Sequence, residues 1–65
     1  MEGTVRTIHR DKGFGFIRSE GVDHFFHVKD LNGLPWGETL EGRAVEFESQ
    51  YGPKGLRAIE VRALD

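Results

Sequence analysis

The sequence predicts an all-β fold, a sandwich or barrel of five short strands. Three observations carry that prediction. Nine glycines punctuate the 65 residues, the runs between them are rich in Val, Ile, Phe and Thr, and no apolar periodicity supports a helix longer than a turn. At this length one domain spanning residues 1–65 is expected. Such a domain buries only about 60% of the surface its unfolded chain exposes, enough for one core and no second layer. The absence of cysteine removes disulfides and thiolate metal sites as supports.

The strands follow in order. The first is expected at Gly3 to His9, ending at the turn Asp11-Lys12-Gly13. The second runs from Phe14 to Arg18 and turns at Glu20-Gly21-Val22, and the third runs from Asp23 to Val28. Then "KDLNGLPWGETLEG", from Lys29 to Gly42, holds Pro35 and at most one helical turn near Val28 to Leu31. A connection this long in so small a domain is often functional. The fourth strand is expected at Arg43 to Ser49 and the fifth at Leu56 to Arg62, joined by "YGPKG", where proline needs no ladder donor.

Side chains alternate across a strand, so the core face can be read from parity. Val45 and Phe47 oppose Glu46 and Glu48, and Ile59 and Val61 oppose Glu60 and Arg62. In the first strand Val5 lies opposite Arg6 and Ile8. The second strand, "FGFIR", is apolar on both faces: Phe14 and Phe16 on one, Gly15 and Ile17 on the other. Burial of both faces is the simplest reading of such a strand, but five strands without a helix have no second layer to cover it. In a sheet closed on itself, Ile17 suits the interior, and Gly15 suits a sharply curved strand. Phe14, Phe16, Phe25 and His27 then form an exposed aromatic cluster, with Arg6, Lys12 and Arg18 around it. Exposed apolar clusters mark interaction sites, and rings flanked by cations suit unpaired bases and their phosphates.

Other function classes find less support. The formal net charge of −2 argues against gripping nucleic acid by bulk positive charge. Residues 1–33 balance five basic and five acidic side chains, while residues 34–65 carry four and six. No apolar run approaches the ~20 residues that span a bilayer. Met1 leads directly into a charged segment without a secretion signal, so a cytoplasmic location is expected. No metal site is expected from His9, His24 and His27, because His24 and His27 point to opposite faces. His24 falls on the inward parity, as a rim or partly buried residue. No catalytic constellation is visible, with Ser19 and Ser49 near no evident histidine and acid, so an enzyme is not expected. The glycines of "KGFGFI" alternate with aromatics in a strand and do not open a helix as a phosphate loop does.

"KGFGFI" (12–17) fits the RNP1 motif, and "DHFFHV" (23–28) resembles RNP2 of the cold-shock domain. "LEGRAVEFE" (40–48) and "YGPKGLRAIEV" (51–61) resemble the family's fourth strand and last hairpin. The chain is similar to bacterial cold-shock proteins from Gly3 to about Val61; an RRM, which also carries RNP1, would need two helices. The resemblance implies a five-stranded antiparallel OB-type β-barrel that binds single-stranded RNA or DNA across its first three strands. It implies stacking by Phe14, Phe16, Phe25 and His27, with Lys12 as the RNP1 cation. Asp23 corresponds to an acid that contacts a base edge, and Lys54 to a basic position in the last hairpin. Trp36 corresponds to a loop aromatic, which either stacks on a base or closes the barrel end. Three platform positions depart from the family: Thr7 and Ile8 stand where Trp-Phe is usual, and Val28 stands for an aromatic. Weaker binding over a shorter footprint is therefore expected. The expected role is that of an RNA chaperone or a transcription or translation regulator, monomeric and without cofactor. The alternative is a protein-interaction or self-association module using the same face.

Overall fold

A computed structural model describes residues 1–53 and 55–64 of the chain. Its strands are β1 (Glu2–His9), β2 (Phe14–Ser19), β3 (Val22–His27), β4 (Ala44–Gly52) and β5 (Gly55–Ala63). They close a barrel in the order β1-β2-β3-β5-β4. All five expected strands are present, with ends displaced by at most three residues. Among the described residues four seams are antiparallel, and the closing seam is parallel, with Phe25 opposite Arg57. The helical turn expected after β3 is a 3-10 turn over Val28–Asp30; a second one, Glu38–Leu40, was not expected.

Local chemistry sets the hairpins. Lys12 and Gly13 both donate backbone N–H groups to the His9 carbonyl, and Gly13 takes φ +74°. Between β2 and β3 the turn is two residues, Glu20 and Gly21, at φ 52° and 79°. Two left-handed central residues match the twist of the flanking strands, and the register that follows sets Arg18 opposite Asp23.

The core holds Val5, Ile17, Phe26, Val45, Phe47, Ala58 and Val61 from the strands. Gly15 is buried beneath the Phe26 ring, where an added Cβ would lie 2.9 Å from Phe26 Cε1 and 2.5 Å from the Thr7 carbonyl oxygen. The long connection also enters the core. Leu34 and Leu40 are buried in it, and Asn32 donates its N–H to the Val61 carbonyl at 2.8 Å. The loop plugs a barrel end that the strands leave open.

Simple alternation fails at two β-bulges. In β1, Val5 pairs with Ile17 but Thr7 pairs with Phe16, so Arg6 is the extra residue. A bulge inverts parity beyond it: Ile8 packs against the core, while Thr7 and His9 are exposed. In β5, Glu46 pairs with Arg62 and Glu48 with Ile59, so Phe47 faces two residues, and Glu60 takes φ 52°. Ala58 and Val61 are therefore the buried pair, and Ile59 does not share the face of Val61.

Candidate nucleic-acid interface

The unbulged strands β2 and β3 build the outer surface. Ile17 is fully buried, so Phe14 and Phe16 on the opposite parity stand half-buried on the outside. Cross-strand register sets Phe14 against His27 and Phe16 against Phe25. Phe14 lies stacked beside Phe25 with centroids 5.5 Å apart, and Phe16 meets each of them edge-on at 6.0 Å. His9 adds a ring the sequence reading missed, stacked on Phe14 at 4.5 Å with planes 25° apart. It reaches this face only because the Arg6 bulge turns it outward.

His27 is held by the turn that follows it. Its Nδ1 accepts the Lys29 backbone N–H at 3.1 Å, while the His27 backbone N–H donates to the Asp30 carboxylate at 2.9 Å. The accepting Nδ1 assigns the ring hydrogen to Nε2. Asp30 also pairs with Arg57 at 3.1 Å, and Arg57 lies 5.9 Å from the centre of the Phe25 ring. Beside Phe25 and His27, the hairpin residues Gly52 and Pro53 with Leu56 and Arg57 frame a groove of about 380 Å³. Arg57 is a second residue that parity alone does not reveal, since only the parallel β3–β5 seam brings it to Phe25.

The remaining candidates divide. Lys12 is exposed in the β1–β2 turn, and Arg6 is exposed at the bulge. Asp23 is paired with Arg18, Nε to Oδ1 at 2.8 Å and Nη2 to Oδ2 at 3.3 Å. This hydrogen bond holds the Asp23 carboxyl below the usual carboxylate range, helped by the charges of Arg18 and Arg6, and it raises Arg18. Trp36 lies in the connection. It is half-buried, edge-on to Phe26 at 6.2 Å, with its indole N–H donating to the Arg10 carbonyl at 3.2 Å. That geometry makes it part of the barrel end, while Arg10, Asp11 and Gly37 frame a shallow groove beside it. Lys54 lies outside the described residues. Of the three departures from the family, Ile8 turns out to point inward, and Val28 sits over Gly13, whose carbonyl accepts its N–H.

His24 is a correction. It is fully buried, not at the rim, with its ring edge-on to Phe47 at 5.0 Å. Its Nε2 lies 3.1 Å from Ser49 Oγ, so Ser49 does meet a histidine, but Nδ1 has no partner among the described residues. A nucleophilic serine needs a histidine that a third group orients, and none is present among the described residues. Glu48 and Glu60 are exposed and Glu46 pairs with Arg62 at 3.4 Å, away from the aromatic cluster.

A closed five-stranded barrel of this strand order, with rings displayed on β2 and β3, defines an OB-type barrel. The family model of the 'Cold-shock' DNA-binding domain matches residues 1–64, and the chain belongs to that family. Its curated relatives include the major cold shock protein of Micrococcus luteus, 44% identical over 64 residues, covering 95% of this chain and 96% of the relative. The probable cold shock protein A of Mycobacterium tuberculosis is 40% identical over 65 residues, covering 97% of each. Among solved structures, Drosophila Unr CSD456 is similar with a TM-score of 0.70 and 26% identity; the match covers 98% of this chain and only 26% of that one.

Proposed function

We propose that this protein binds single-stranded RNA or DNA by stacking bases on its outer rings and keeps the strand from refolding. One observation carries the reading: Phe14, Phe16 and Phe25 stand on the solvent side of a barrel whose interior side is filled by Ile17 and Phe26. A ring spends its apolar surface outside the core only at a cost, and unpaired bases offset that cost by about 1–3 kcal/mol each. His9, His27 and the groove beside Phe25 extend the surface, while Lys12 and Arg6 meet phosphates. The footprint is short, about three or four nucleotides, at or just below the lower end of the ~4–16 known per OB fold. The inward turn of Ile8 also weakens the self-association reading, because it removes an aliphatic side chain from the face.

Residues 1–65 act as one domain, as a cytoplasmic monomer without cofactor or enzymatic activity. No helix among the described residues is long and apolar enough to cross a membrane. The test is fluorescence anisotropy of labelled U7 and dT7 at low salt, with sedimentation in parallel. Saturable binding by a monomer supports the reading; unchanged anisotropy for both strands overturns it.

A further inference from the structure

We propose that Arg18, oriented by Asp23, reads a base edge at the Phe16 end of the ring surface and selects guanine there. This rests on the nucleic-acid reading above and adds a specificity that stacking alone does not provide. Arg18 and Asp23 are cross-strand partners two residues beyond the Phe16–Phe25 pair, so they share the outward face with those rings. Their side chains are 42% and 46% exposed, next along the outward face from Phe16 and Phe25.

The geometry of the pair is what assigns the role. A guanidinium is planar, with five N–H donors in a rigid fork. Asp23 takes one edge of that fork, through Nε and Nη2. The end edge, with one N–H of Nη1 and the second of Nη2, has no partner among the described residues. It presents two parallel donors, and the carboxylate fixes their direction. Guanine sets two acceptors side by side, O6 and N7, and a bidentate arginine is their commonest partner. Adenine and uracil alternate donors with acceptors along their edges and cannot take both hydrogens. Cytosine, with N3 beside O2, is the nearest rival, but its single ring covers less of Phe16. Asp23 spends one lone pair of each oxygen on Arg18, and in this proposal it acts as a positioning residue beside the base contact that the family resemblance implied.

The test compares labelled seven-nucleotide strands: U7, U7 carrying one guanine at each position in turn, the same set with cytosine, and the best guanine strand remade with 7-deazaguanine, which lacks the N7 acceptor. The best guanine strand is expected to bind about tenfold tighter than U7, as one bidentate contact supplies. The 7-deaza strand loses most of that gain. Arg18→Met brings the guanine-to-uracil ratio to about one, and Asp23→Asn lowers it. The ratio is taken within one variant, so any unfolded fraction cancels. Equal wild-type affinity for guanine and uracil strands overturns the proposal, and so does a preference for cytosine. So does an Arg18→Met variant that loses the same factor on every strand, which marks a phosphate contact. Failure of every strand to bind the wild type strikes the nucleic-acid reading itself and this proposal with it.

Discussion

Replacing Phe14 with alanine separates binding from folding. Phe14 touches His9, Phe16 and Phe25, all on the outer side, and it is half-buried. Full burial makes a Phe→Ala change cost about 3–5 kcal/mol, so a half-buried ring that leaves no closed cavity costs about half that. A domain of this length has roughly 3–10 kcal/mol of stability, so the variant stays folded. Binding loses a stacking surface of about 1–3 kcal/mol, a factor of roughly 5 to 150. The upper part of that range is expected, because His9 and Phe25 both lose lateral support. Ile17→Ala is the mirror experiment: Ile17 is fully buried, and its truncation costs about 2–5 kcal/mol of folding without touching the surface. Denaturant unfolding and U7 anisotropy on both variants decide. If Phe14→Ala destabilises more than Ile17→Ala, or stays folded and binds U7 within about twofold of wild type, the assignment of faces is wrong.

Four further outcomes follow from particular contacts. Gly15→Ala should destabilise by about 1–3 kcal/mol by overpacking, since the new Cβ meets the Thr7 carbonyl at 2.5 Å; an unchanged unfolding midpoint would contradict this. His24→Val should leave stability within about 1 kcal/mol of wild type, because removing a buried nitrogen without a partner among the described residues offsets the lost bond to Ser49, and U7 affinity should not change. The Asp23 carboxyl is lowered by Arg18, so the pairing is present above the ordinary carboxylate range near ~3.9 and is lost as pH falls through the lowered value. Carboxyl NMR should place that midpoint below the ordinary range, and Arg18→Met should move it up. Finally, with about two or three phosphates neutralised, log K against log salt should fall with a slope of only about −1.4 to −2.1 for a single strand.

The division between what could and could not be read in the sequence is itself physical. The outward position of Phe14 and Phe16 was legible because β2 is unbulged, so alternation holds along its whole length. One extra residue at Arg6 inverted the rest of β1, which hid His9 from view and placed Ile8 on the wrong side. The bulge at Glu60 did the same to Ile59. Neither has a local sequence signature, because a bulge is set by how two strands meet. The role of Arg57 depends on the parallel seam, a contact between strands distant in sequence. Leu34 and Leu40 follow no strand period, and only barrel closure explains their burial. The Arg18–Asp23 pair was within reach: it follows once the β2–β3 turn is two residues and not three.

Nuclear Overhauser effects between U7 and the aromatic side chains test the central claim most directly. Cross-peaks from uracil H5 and H6 to the rings of Phe14, Phe16 and Phe25, with none to the enclosed Phe26 and Phe47, are the predicted result. Cross-peaks confined to the face carrying Glu46, Glu48 and Glu60, or a saturated complex in which those three outer rings show no contact with any base, would contradict it.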